Sequence, residues 1–151
     1  MTLIDYRYDE CGLDNVILKN LPVTTSDDGS PVVTIRHVTQ LHRLLVRMVA
    51  EKSSGLEPRE LRFLRTELEM TQAELGSLVG RDVQTIGRWE RGETPIDKAS
   101  EIVIRTHALQ QSGDSSSTRV GDLATRTVKS ARSMQFLVNA SNPDRYEAVA
   151  A

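Results

Sequence analysis

Residues 61–93, LRFLRTELEMTQAELGSLVGRDVQTIGRWERGE, decide how this chain is read. Apolar residues recur here at helical spacing, and well-placed breakers cut the period into short pieces. Thr71-Gln72-Ala73-Glu74 is a capping box: the threonine hydroxyl accepts from the N–H of Glu74, and the glutamate reaches back to the N–H of Thr71. A helix therefore starts there, with Leu75, Leu78 and Val79 expected to face inward and Gly80 supplying the left-handed residue that ends it. Asp82 caps a further helix, residues 83–91, which stops at Gly92. Upstream, Pro58 suits the first turn of a helix, because its missing N–H has no intrahelical partner at that position. Leu61, Phe63, Leu64 and Leu68 are that helix's apolar positions, and residues 96–109 make another after Thr94-Pro95.

On a wheel of about 100° per residue, Gln84, Arg88 and Arg91 share one stripe of the 83–91 helix, while Ile86, Trp89 and Glu90 lie opposite. One helix thus has a core face, anchored by Trp89, and a hydrogen-bonding face. The polar stripe is built from the residue types that read base edges: arginine pairs with guanine O6 and N7, glutamine with adenine N6 and N7. Val83, at the edge of both faces, suits a thymine methyl. Gly87 lies beside the stripe, where a missing side chain lets the helix approach DNA closely, at about 1 kcal/mol of helix propensity relative to alanine. Gln72 sits in the first turn of the preceding helix, whose free N–H groups and dipole favour an anion. Arg81 and Arg91 extend this surface toward phosphates. Two short helices joined by a glycine-containing turn make a helix-turn-helix. The expected DNA-binding set is Thr71, Gln72, Arg81, Val83, Gln84, Thr85, Arg88 and Arg91.

On these residues the segment resembles the helix-turn-helix of the Cro/C1 repressor class, also called the xenobiotic-response-element (XRE) class. Its usual form is an arginine in helix one, T-Q-x-x-L-A at helix two, and T-[IV]-S-R-W-E-x-G at helix three. The resemblance covers residues 56–108. It implies that Gln72 and the start of helix three contact DNA, and that Arg65 and Glu90 form a buried ion pair. The chain departs from the pattern at Gly76 and Gly87, where alanine and serine are usual. Both are small, so fold and docking are expected to hold, but a serine phosphate contact at position 87 is lost.

Outside this segment the pattern changes. Residues 6–8, 15–21 and 31–35 are short β-like runs separated by turn signals, and they read as a small antiparallel sheet. From Val38 the period becomes helical through about residue 51, with Val38, Leu41, Leu44, Leu45, Met48 and Val49 as the stripe. Lys52-Ser53-Ser54-Gly55 reads as a helix stop and linker. Residues 110–118 form a polar Gly/Ser tract with the composition of a flexible linker. Beyond it, Val120, Leu123, Ala124, Val128, Ala131, Met134 and Val138 fit one face of a tail helix. The fold class expected is α+β: a small N-terminal antiparallel sheet plus helix (1–54), an all-α helix-turn-helix domain (55–109), and a C-terminal tail with one helix (110–151). YRYDECGLDNVIL and the sheet-helix pattern after it resemble the architecture of MqsA-type antitoxin regulators. Those hold zinc with four cysteines, whereas Cys11 is the sole cysteine here, so zinc is not carried over.

The whole chain sets bounds on these readings. At 151 residues, 38% hydrophobic and 26% charged, it has globular composition. One cysteine excludes an internal disulfide, and His37, His42 and His107 show no metal-ligand spacing, so neither metal nor cofactor is expected. No membrane span or signal peptide is evident, and a cytoplasmic location is expected. Walker, dinucleotide, nucleophile-elbow and zinc-protease motifs are absent, so an enzyme is not expected. The formal charge of −2 opposes DNA binding only if charge is averaged. Glu57, Glu60, Glu67, Glu69, Asp97 and Glu101 are expected mainly on the first and fourth helices, away from the stripe, and with a Debye length of about 8 Å distant acids are largely screened from it. The expectation is a transcriptional repressor that occupies a palindromic operator on double-stranded DNA as a homodimer and is open to autoregulation. The dimer contacts fall to residues 1–54, residues 96–109 or the tail. The alternative is an antitoxin that meets its toxin through residues 1–54.

Overall fold

Strand β2, Val16–Thr25, buries Val16 and Leu18 and then, after a change of parity, Leu21 and Val23. An extra residue causes the change. Its partner β1, Thr2–Arg7, pairs Tyr6 with Leu18 but Ile4 with Leu21, so one residue of β1 faces two of β2. Asn20 takes the left-handed conformation (φ 58°) at this bulge, and Asp5 ties it down, accepting from the Asn20 N–H at 3.2 Å and the Lys19 ammonium at 2.6 Å. The bulge lets both halves of β2 face the core.

The computed structural model describes residues 2–113, 119–130 and 134–149. Contacts divide the chain into two units, Met1–Leu45 with Ser133–Ala151, and Val46–Arg132. In the first unit the sheet order is β1-β2-β4-β5, with β3, Pro31–Val32, paired to the end of β2. Strand β4, Phe136–Asn139, runs parallel to β2, and β5, Glu147–Val149, runs antiparallel to β4. The N-terminal strands β1, β2 and β3 pair antiparallel as expected, and the tail strand β4 adds a parallel pairing that makes the sheet mixed. The single tail helix is corrected. Among the described residues of the tail, helical structure is limited to α6, Val120–Ala124; Val128 is 77% exposed, Val138 lies in β4, and Ala131 and residues 114–118 fall outside the described residues. Phe136 and Val138 also satisfy a strand's period of two, and pairing with β2 selects that period over the helical one. Asn15 fixes the approach of β4, since its backbone carbonyl accepts from the Phe136 N–H at 2.8 Å.

Helix α1, Val38–Ala50, carries Leu41, Leu45 and Val49 as a fully buried stripe, and the division between units falls within it. The second unit continues with α2 (Pro58–Glu67), α3 (Gln72–Val79), α4 (Val83–Glu90), α5 (Lys98–Gln111) and α6. Its core contains Leu56, Leu61, Phe63, Leu64, Leu75, Ile86, Trp89, Ile104 and Leu123.

At the centre of this unit is a buried cation. Arg105 of α5 donates through Nε to the Ala50 carbonyl (2.8 Å), through Nη1 to those of Ser54 (3.3 Å) and Arg126 (2.8 Å), and through Nη2 to that of Lys52. It also pairs with Glu101 at 3.0 Å. Burial lowers the pKa of Arg105 and raises that of Glu101. The fork thereby satisfies carbonyls that α1 and the following turn would otherwise leave without donors. Lys52 is only 4% exposed and pairs with buried Glu60 at 2.6 Å. Gly55 donates to the Val128 carbonyl at 2.9 Å, and a Cβ on Gly55 would meet the Thr127 carbonyl oxygen at 2.8 Å. Residues 52–55, read from sequence as a linker, are held on both sides.

Candidate nucleic-acid interface

Helix α3 starts where its capping box predicts. The Thr71 hydroxyl accepts from the Glu74 N–H and the Glu74 carboxylate from the Thr71 N–H, both at 3.1 Å. Gly80 (φ 72°) ends the helix and turns the chain. That turn is tighter than an alanine at position 76 would permit, for a Cβ on Gly76 would lie 2.5 Å from the Arg81 carbonyl oxygen. Asp82 then caps α4, accepting from the Thr85 N–H at 2.7 Å, a hydrogen bond that holds its carboxyl below the usual range. Leu75 is buried but Leu78 is 37% exposed, so the inward face of α3 is narrower than its apolar pattern suggested.

The two faces of α4 separate as the wheel requires. Ile86, Gly87 and Trp89 are buried, whereas Gln84 and Arg88 are exposed, Val83 is 47% exposed and Thr85 is half-buried. On the inner side Arg65 of α2 grips Glu90 bidentately, Nε to Oε2 at 2.6 Å and Nη2 to Oε1 at 3.0 Å. Its Nη1 donates to the Met70 carbonyl at 3.0 Å. The Gln72 amide joins this network, donating to Glu90 Oε1 at 3.2 Å. One carboxylate therefore ties α2, the start of α3 and the end of α4 together, and the Gln72 side chain is held from within the domain.

The three arginines of the turn and α4 are not equivalent. Arg81 pairs with Asp97, the cap of α5, at 3.2 Å. Arg91, the residue after α4, pairs with Glu93 at 3.0 Å and holds that carboxyl below its usual range. The Arg88 side chain is exposed and makes no hydrogen bond or ion pair among the described residues; it acts through space on Asp82 and Glu93. Placing Asp97 away from the basic surface is thus corrected, and Glu93, not singled out in the sequence, is a second counter-charge. Gly87 also differs from expectation: it is buried beneath the Arg91 side chain rather than open beside the stripe.

Residues 61–99 match the family model described as Helix-turn-helix. The matched span holds the Arg65–Glu90 pair and every α3 and α4 residue named above. The match supports a DNA-binding transcriptional regulator. No curated protein and no solved structure matches the chain. Among the described residues, no group of three or more His, Cys, Asp or Glu side chains is placed to hold a metal, and no helix is long and apolar enough to cross a membrane.

The sequence reading missed Lys52, Glu60, Glu101 and Arg105 as a buried charge cluster. Only one signal was present: Glu101 and Arg105 stand four residues apart on α5, between the buried Ser100, Ile104 and Ala108. Glu60 stands at the third position of α2, where its Oε1 accepts from the Glu57 N–H at 2.8 Å.

Proposed function

We propose that this protein is a sequence-specific repressor that reads double-stranded DNA through α4 and binds a palindromic operator as a homodimer. The observation that carries the reading is the exposed row Val83, Gln84 and Arg88 on a helix whose other side is anchored by Ile86, Trp89 and the Arg65–Glu90 pair. Rigid support is what base readout requires, because a bidentate contact is lost if the helix rocks. Arg88 reads a guanine edge, Gln84 an adenine edge, and Val83 packs on a thymine methyl. Thr85, half-buried on the same helix, contributes at the edge of this row.

Phosphate contacts set the register. The capping box of α3 uses the N–H groups of Thr71 and Glu74 and leaves those of Gln72 and Ala73 at the positive end of the helix for a phosphate. Arg81 contributes by exchanging Asp97 for phosphate oxygens, and Arg91 through the donors that its pairing with Glu93 leaves open. One α4 spans only a few base pairs, so two copies meet two half-sites about 34 Å apart. Occupying an operator over a promoter represses by exclusion, and an operator upstream of its own gene would make the protein autoregulatory in the cytoplasm. The findings do not favour the antitoxin alternative. Selection of bound duplexes from random DNA with the full chain tests the proposal: a palindromic consensus is expected, and recovery of unenriched sequence contradicts it.

A further inference from the structure

A glycine in the middle of a short helix weakens it and calls for a reason. At Gly87 the reason is in the geometry. A Cβ there would lie 2.9 Å from Nη1 of Arg91, 3.7 Å from its Cζ and 3.8 Å from its Nη2. The Arg91 guanidinium therefore rests on the bare backbone of Gly87, one turn back from its own Cα, the direction in which helical side chains lean. Glu93 holds the fork from the other side, accepting from Nη2 at 3.0 Å. The Arg91 side chain nevertheless remains 60% exposed, so donors other than the one given to Glu93 are open to an incoming anion.

We propose that Gly87 is a positioning residue: its missing side chain seats the Arg91 guanidinium against α4, nearer the Gln84–Arg88 row, where it takes a DNA phosphate. The proposal rests on the reading of α4 as the DNA-reading helix. It reverses the simpler idea that Gly87 only allows close approach of the backbone to DNA. The space a serine or alanine side chain would occupy at position 87 is filled by a cation arriving from position 91. Glu93 pre-orients that cation in the free protein, so little side-chain freedom is lost on binding.

The test is a double-mutant cycle on the full chain, with Gly87→Ala, Arg91→Ala and the double variant, read by fluorescence anisotropy on the selected operator duplex and on a random-sequence duplex across a salt series. Gly87→Ala is expected to melt at or above the wild-type temperature, since alanine is the better helix former and the atoms it displaces are the flexible end of a side chain. It should still bind the operator roughly tenfold more weakly, as expected for one lost charge-assisted contact. Its plot of log K against log salt should be shallower by about 0.9, the loss of one phosphate contact. Arg91→Ala should show the same affinity and slope, and the double variant should be no worse than Arg91→Ala. Additive losses in the double variant, or wild-type binding by Gly87→Ala, overturn the positioning role while leaving α4 as the reader. A wild-type chain that binds neither duplex overturns both.

Discussion

Replacing Arg105 by leucine should cost the helical unit most of its stability. Arg105 and Glu101 are 0% and 2% exposed and 3.0 Å apart, and removing one partner of such a pair costs about 3 to 5 kcal/mol, because the other charge stays buried. Leucine also cannot donate to the carbonyls of Ala50, Lys52, Ser54 and Arg126. If only one of these stays dry and unpartnered, about 1 to 3 kcal/mol is added. The expected loss of roughly 5 kcal/mol reaches the lower end of the 5 to 15 kcal/mol typical of whole domains. Trp89 is the sole tryptophan and lies in the core of this unit, so its fluorescence in a urea titration reports the loss directly. Adding Glu101→Leu should recover part of it by removing the stranded charge. A loss under about 1 kcal/mol for Arg105→Leu would refute the reasoning, since it would mean these carbonyls and Glu101 find other partners at little cost.

Two further outcomes concern the same unit. Gly76→Ala should destabilise by about 1 to 3 kcal/mol in thermal unfolding, despite the better helix propensity of alanine, because the new methyl meets backbone at Arg81 rather than a movable side chain; an unchanged midpoint would contradict that packing. Glu60 gives a pH dependence: burial raises its carboxyl above 4.5, against opposing hydrogen bonds from the Glu57 N–H and Lys52, and its Oε2 has no hydrogen-bond partner among the described residues. With the folded pKa above the unfolded one, the folded state holds the extra proton, so this group's contribution rises as pH falls from the folded pKa to 4.5. Wild type should therefore gain stability relative to Glu60→Gln on acidification from neutral pH, measured by urea midpoints; a flat or opposite trend speaks against a raised pKa.

How much could be read in advance follows from the range of each signal. Thr71 with Glu74, Gly80, and Asp82 with Thr85 act within four residues, and all are where local chemistry places them. The sheet's completion is non-local: Val16 pairs with Phe136, and no feature near either residue names the other. The tail shows how such pairing overrides a local period, because its apolar residues satisfied a helix until β2 supplied a partner. Arg105 was invisible for a related reason. An arginine in a helix with polar neighbours reads as solvated, and only the folded chain brings the carbonyls of Ala50, Lys52 and Ser54 to it. At the candidate site, residue types and faces were legible on α4, but the counter-charges Asp97 and Glu93 and the seating of Arg91 over Gly87 depended on side-chain reach.

Base reading by α4 turns on Arg88, which is exposed and whose removal leaves the core intact. Affinities of wild type and Arg88→Ala are to be compared on the selected operator, on operators substituted one base pair at a time, and on random DNA. Arg88→Ala should lose about 1 to 3 kcal/mol on the operator, relax preference at one base pair in each half-site, and lose less on random duplex. Equal losses on operator and random DNA, with preference unchanged at every position, would contradict base reading by α4.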